Sequence, residues 1–293
     1  MSDAPPNIFA GNPLDRAGDR RNDPTFIAEM TAHPEALALR CDAAGPVTEP
    51  GPDGPRLAWA PLANARAGAV GGEVFLGLWK DAPVFAVEVA DGGMPLREAA
   101  MALGVADAAM AGTAKSLFDW RRRNRFCPNC GSETAATGGG WRRACPGCGA
   151  EHFPRVDPVC IMLPVFQDRC FVARGPAWPS GRMSAPAGFI EPGETIEEAC
   201  ARELFEEAGL SVTRVRHHSS QPWPFPSQLM IGLVCAVDSD AVTLDPNELA
   251  ESAWLTRQEA ADALAGRHPT VIAPPPVAIA RTLIQAWVDG FEP

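Results

Sequence analysis

Between Arg202 and Glu207 the chain reads Arg-Glu-Leu-Phe-Glu-Glu, so that Glu203, Glu206 and Glu207 stand three and four residues apart. On a helix of 3.6 residues per turn, all three carboxylates leave the same face. Like charges at that spacing destabilise a bare helix by a few tenths of a kcal/mol per pair, and a hard divalent cation on oxygen ligands is the natural compensation. The other side carries Ile196, Ala199, Cys200, Leu204 and Ala208, an apolar stripe suited to docking on a sheet. Just ahead, residues 188–193 hold two glycines and Pro192, which suits a tight loop where backbone approaches a ligand.

A second chemistry lies in two CxxC pairs, Cys127 with Cys130 and Cys145 with Cys148, each followed by glycine. This is a zinc-ribbon pattern: four thiolates close a tetrahedral coordination sphere and leave no position for water, so the Zn²⁺ expected here is structural. Cys41, Cys160, Cys170, Cys200 and Cys235 lack that spacing and read as small buried apolar residues. A third stretch, Ser220-Gln221-Pro222-Trp223-Pro224-Phe225-Pro226, alternates prolines with aromatics. Read by itself, this stiff loop either offers Trp223 and Phe225 for stacking on a heterocycle or packs against its own domain.

Gly188, Glu194, Arg202, Glu203, Leu204, Glu206, Glu207, Gly209 and Leu210 occupy every fixed position of a pattern that resembles the Nudix box. The SQPWPFP stretch after it and the cysteine ribbon before it resemble the NADH pyrophosphatases, and that resemblance covers nearly the whole chain. It implies Mg²⁺- or Mn²⁺-dependent hydrolysis of the pyrophosphate of NADH or NAD to a nicotinamide mononucleotide and AMP. Glu203, Glu206, Glu207, Glu248 and Ala187 would hold the cation, and Glu207 or Glu203 would help deprotonate the water. Arg202 would orient a box glutamate, with Glu194 contributing through its loop. Phe189 and Trp223 would flank the bases, with Phe153, Met162, Ser220, Gln221, Phe225 and Ala280 completing the substrate pocket. Phe153 stands where a tyrosine is common in that family, which removes a hydroxyl but not a stacking surface. The resemblance also implies a homodimer, and the same reaction would remove an NAD cap from RNA. Two other functions stay open: a Nudix hydrolase of another nucleoside diphosphate derivative such as ADP-ribose, and a non-catalytic zinc-ribbon protein that binds nucleic acid.

These side chains need elements to hold them. An α+β chain is expected, with an N-terminal mixed α/β domain (1–122), a zinc ribbon (123–155) and a Nudix α/β/α sandwich (156–293). In the first domain, short apolar runs at 37–41, 57–60, 74–79 and 84–89 read as strands, 45–55 as a solvent loop, and 96–103 and 106–123 as helices. In the last, 159–166 and 170–173 form a hairpin, 183–189 leads into the box, and 229–237 is a continuous apolar strand. Thr256 with Glu259 caps a helix to about residue 265, and a final helix presents Ile279, Leu283, Ile284 and Trp287 on one side.

With 25 basic against 36 acidic residues, the formal charge of −11 argues against general binding to a nucleic-acid backbone. Arg121, Arg122, Arg123, Arg125, Arg142 and Arg143 around the ribbon are therefore expected to pair with the chain's own acids in preference to RNA phosphates. The first dozen residues lack a basic start and an apolar core, and no apolar run approaches the ~20 residues of a membrane span, so no secretory signal and no membrane contact are expected. A cytoplasmic protein is the expectation.

Overall fold

The computed structural model describes residues 7–293. Residues 1–6, which open the segment read above for a signal, lie outside them. The chain divides into two compact units, one running up to Val156 and including Pro222–Ser227, the other made of Asp157–Gln221 and Gln228–Pro293.

The first unit runs α1 (Pro24–Ala32), β1 (Leu37–Cys41), β2 (Thr48–Gly51), β3 (Gly54–Leu57), β4 (Trp59–Pro61), α2 (Leu62–Arg66), β5 (Ala69–Trp79), β6 (Ala82–Val89), α3 (Leu96–Ala102) and α4 (Val105–Arg123). Its main sheet has the order β4-β1-β6-β5, with β1 parallel to β6 and the other neighbours antiparallel. Phe75, Phe85 and Val87 fill one face of the sheet against Leu62 and Ala65 of α2. Helix α4 buries Ala108, Ala109, Ala111, Ala114, Leu117 and Phe118, small and large apolar residues that leave only a narrow polar side. The expected loop at 45–55 is instead largely a hairpin: β2 and β3 pair antiparallel from Thr48↔Leu57 to Gly51↔Gly54, turning at Pro52-Asp53. The Pro and Gly that suggest a loop there are the residues such a turn uses.

The ribbon follows as β7 (Ala135–Thr137), β8 (Arg142–Ala144) and β9 (Glu151–His152), a three-stranded antiparallel sheet. Between β7 and β8, Gly138, Gly139 and Gly140 have φ of 58°, 62° and 92°. A Cβ on Gly139 would come within 3.1 Å of Ile27 and Phe75, so only glycine lets this turn lie on the sheet.

The second unit is the α/β/α sandwich. It comprises β10 (Asp157–Phe166), β11 (Arg169–Arg174), β12 (Ala187–Phe189), α5 (Ile196–Ala208), β13 (Val212–Trp223), β14 (Gln228–Val237), β15 (Glu251–Thr256), α6 (Arg257–Leu264) and α7 (Ile279–Val288). The sheet order is β13-β14-β10-β11-β15, with β12 paired to β10 and β10 parallel to β14. Alternation along β10 sends Ile161, Leu163 and Val165 to a core shared with α6 and α7, and Cys160 and Met162 to a core shared with α5. Two buried layers of this kind fix the helix that carries the acids. Ser220 to Trp223, read as part of a loop, instead finish β13. No helix among the described residues is long and apolar enough to cross a membrane.

Candidate active site

Each box position has a separate physical task. Thr195 and Glu198 form a reciprocal capping box at the start of α5, and Gly209, at φ 69°, caps its end in the left-handed region. Leu204 and Leu210 are buried in the core beneath it. A Cβ at Gly188 would lie 1.9 Å from the carboxylate carbon of Glu203, so a larger residue in the loop would oblige that carboxylate to move from the place where Arg202 holds it.

Arg202 is the hub. Its Nε and Nη2 donate to the two oxygens of Glu194 at 2.6 and 2.9 Å, and its Nη1 donates to Glu203 at 2.8 Å and Glu206 at 3.0 Å. Nη2 also reaches the Phe189 carbonyl at 3.0 Å, pinning β12 to the helix. The bidentate partner of Arg202 is therefore Glu194 in the loop. That carboxylate also accepts the Glu191 amide, and the Arg202 bonds, followed by this one, hold its pKa down to about 2. With both oxygens engaged, Glu194 braces the loop.

Glu207 behaves differently. It is 8 % exposed, and burial first, then the charges of Glu203, Glu248, Glu206 and Asp245, push its pKa up to about 7. These acids converge on a cleft of about 750 Å³ that Ala187, Gly188 and Phe189 also line. Asp245 is absent from the expected site residues. It accepts the amides of Glu248 and Leu249 through its carbonyl, and its own amide donates to the Glu207 carbonyl at 2.9 Å. The Asp-Pro-Asn-Glu spacing, which places two acids on one turn, was the signal for it. The cleft gathers hard oxygen donors with one cationic brace, a set that fits a divalent metal ion and suits no softer one.

The other expected residues differ in burial and in partners. Phe189 is half exposed on the cleft wall. Met162 and Ala280 are, in contrast, fully buried core residues on opposite sides of the sheet, and Gln221 is buried with its amide bridging backbone groups. Its Nε2 donates to Val277 O and its Oε1 accepts from Ile279 N, both at 2.9 Å, so Gln221 seats the start of α7. Ser220 Oγ lies 3.1 Å from His217 Nε2. Trp223 and Phe225 belong to the first unit, where both rings meet Phe9 edge-on, at 6.2 and 6.0 Å, and Arg97 lies 4.1 Å over Phe225 and 5.1 Å over Trp223. The two aromatics are thus half-buried. Phe153, on the ribbon, is largely exposed.

The four ribbon sulfurs lie within 4.8 Å of one another, with Cys127–Cys148 at 3.7 Å and Cys130–Cys145 at 3.4 Å. A zinc tetrahedron with ~2.3 Å bonds has sulfur–sulfur edges of about 3.8 Å, so the donors fit the ion. The two knuckles have the same build: Gly131 N donates to Cys127 O and Gly149 N to Cys145 O, with φ of 75° and 74° at the glycines. Most of the surrounding arginines are committed within the unit. Arg122 pairs with Glu88 and Asp119, Arg125 with Glu133 and Arg142 with Glu151, while Arg121 and Arg143 donate to backbone carbonyls.

Residues 45–120 match the NADH pyrophosphatase-like rudimentary NUDIX domain, 122–153 the NADH pyrophosphatase zinc ribbon domain, and 155–273 the NUDIX domain. The three run in order along the chain, and the box and the ribbon cysteines fall inside them. This chain belongs to the NADH pyrophosphatase family of Nudix hydrolases. Among proteins similar to this member of the family, the NAD-capped RNA hydrolase NUDT12 of Macaca fascicularis is 40% identical over 205 residues, covering 66% of this chain and 44% of that protein. The NAD-capped RNA hydrolase NudC of Mycobacterium bovis is 40% identical over 187 residues, covering 61% of this chain and 59% of that protein. The chain thus spans about half the length of the curated relatives it matches. Among solved structures, a NUDIX hydrolase from Nitrosomonas europaea is 21% identical with a TM-score of 0.45, covering 56% of this chain and 90% of that one.

Proposed function

We propose that this chain hydrolyses the pyrophosphate bond of NADH or NAD, giving a nicotinamide mononucleotide and AMP, and that it acts on NAD-capped RNA by the same reaction. The observation that carries the reading is the cleft in which Glu203, Glu206 and Glu207 face Asp245 and Glu248 beneath the exposed ring of Phe189. The residues that would hold Mg²⁺ or Mn²⁺ are Glu203, Glu206, Glu207 and Glu248, with the Ala187 carbonyl beside them. Such an ion neutralises phosphate charge and lowers the pKa of a bound water. Glu207, whose burial favours its neutral form, is the group fitted to take a proton from the attacking water. Arg202 keeps Glu203 and Glu206 oriented, and by tying down Glu194 holds the loop under the substrate. Phe189 supplies one stacking face, and Trp223, Phe225 and Phe153 are the further aromatics assigned to the bases.

Turnover of NADH, NAD, ADP-ribose and an NAD-capped oligonucleotide, each with Mg²⁺ and with Mn²⁺, tests the reading. Release of AMP from the dinucleotides is expected, and a clear preference for ADP-ribose would replace this specificity with the alternative one. A homodimer and a cytoplasmic location complete the proposal. Nine cysteines, none in a disulfide, suit a reducing compartment, and sedimentation equilibrium reads the oligomeric state.

A further inference from the structure

A second cleft, of about 590 Å³, lies wholly within the first unit, where α1, the sheet and the Gly138–Gly140 turn of the ribbon meet. Its volume falls in the range of small-molecule sites. Pro24, Ile27 and Ala28 of α1 give the cleft its accessible apolar floor, with Phe75 and Phe85 almost fully buried beneath it, and Arg21 and Asn22 also line it. Gly138 to Gly140 form one wall without side chains, so a ligand could lie directly against backbone.

The charge here is out of balance. Glu73 lines the cleft but is held by Arg66, whose Nε donates to it at 2.6 Å, and Arg142 is paired with Glu151 at 2.7 Å. Arg21, however, has no carboxylate within ion-pair distance among the described residues, and neither has Arg16 next to it. Both guanidiniums lie over the ring of Trp141, at 4.2 Å for Arg21 and 5.2 Å for Arg16. Trp141 is itself fixed, its Nε1 donating to Phe75 O at 2.7 Å. Stacking of this kind uses the face of the guanidinium and leaves its in-plane N–H groups for an acceptor. Partial burial and the neighbouring Arg16 charge both disfavour the charged form of Arg21, a cost that a bound anion would remove. On a chain of net charge −11, a partly buried guanidinium that lies beside another and has no carboxylate partner suits a ligand of opposite sign.

We propose that this cleft binds a mononucleotide, its phosphate on the Arg21 guanidinium and its heterocycle on the apolar floor beside the amide of Asn22. The phosphomonoester matches the fork of Arg21 in two parallel bonds, and the flat base accounts for the apolar part of the cleft, which inorganic phosphate would leave uncovered. The site is separate from the acid cleft and does not depend on the hydrolase reading.

Calorimetric titration of the full chain with AMP, adenosine and inorganic phosphate tests this, with zinc retained but no Mg²⁺ or Mn²⁺ present. Without a divalent ion the acid cleft repels phosphate, which isolates the second site. One AMP per chain is expected, with weaker binding of phosphate and of adenosine. Arg21→Ala should weaken AMP binding by at least about tenfold. Ala28→Glu, an exposed position on α1 that also lines the cleft, should do the same through its charge and with no burden on folding. Glu207→Gln should leave the affinity unchanged, so that an inactive hydrolase and an absent second site give different results. Unchanged AMP affinity in both Arg21→Ala and Ala28→Glu overturns the proposal. So does adenosine binding as tightly as AMP, or binding seen only with a 5′-phosphorylated oligonucleotide.

Discussion

The ribbon and the acid cleft are both built for metal ions, and they solve opposite problems. Four thiols from two matching knuckles meet within 4.8 Å, and a cation there has every position filled by protein. In the cleft, six carboxylates line a 750 Å³ space, and Arg202 pairs with two of them, leaving room for water and a pyrophosphate. Ligands that close around an ion make it part of the fold, whereas ligands spread along an open wall make it part of the reaction.

Removing one ligand from each site should separate these roles. Cys127→Ser is expected to have the largest effect: zinc binding at such sites supplies on the order of 10 kcal/mol, comparable with the whole stability of a domain. Bound zinc measured by mass spectrometry should be lost together with the cooperative melting of the first unit. A Cys127→Ser protein that melts normally would remove the contrast. Glu207→Gln is expected to lower turnover by about 100-fold or more while the melting temperature stays level or rises, since a buried carboxylate amid like charges is replaced by a neutral amide. Arg202→Lys should cost roughly tenfold in turnover, because an ammonium cannot serve Glu194 in two parallel bonds and reach Glu203 and Glu206 as well.

A pH series on the protein freed of Mg²⁺ and Mn²⁺ sharpens the comparison further. In the folded state Glu207 holds its proton up to about pH 7, whereas in the unfolded chain it ionises near 4.5. Between those values the folded state binds more protons, so the contribution is whole below pH 4.5 and is lost as pH rises through about 7. Melting temperature should decline by a few degrees across that window, a slope absent from Glu207→Gln. Glu194 acts in a different window: its pKa is lowered to about 2, so its contribution is present above 4.5 and lost only as pH falls towards 2. The smallest effect is expected for Trp223→Ala, a several-fold rise in KM for the dinucleotide with little change in the metal concentration needed for half activity. An unchanged KM would confine Trp223 to its packing with Phe9 and Arg97.

Much of this was legible before any coordinates. The spacing of Glu203, Glu206 and Glu207 puts them on one helix face whatever surrounds the helix, and the CxxC pairs bring their own local geometry. What escaped depended on partners remote in sequence or on turns that composition alone does not place. Nothing in Glu194 alone says that Arg202, eight residues on, takes both its oxygens. Gln221 reads as a ligand contact until the start of α7, more than fifty residues later, is seen to occupy its amide. Met162 and Ala280 are apolar residues on elements of the catalytic fold, and only the two-sided core shows that they face inward. Asp245 shares a turn with Glu248, and only the assembled cleft shows that both acids of that turn line it. The hairpin at β2 and β3 was hidden by the turn residues that create it.

The chain leaves the sandwich after Gln221, contributes Pro222–Ser227 to the other unit, and returns at Gln228. The two units are therefore not interchangeable cassettes. A chimera that joined this sandwich to a relative's N-terminal half would keep Trp223 and Phe225 but give them a foreign seat in place of Phe9 and Arg97. Substitutions at those four positions should accordingly be inherited together, and recombination anywhere between them should be tolerated only when it carries matched sets.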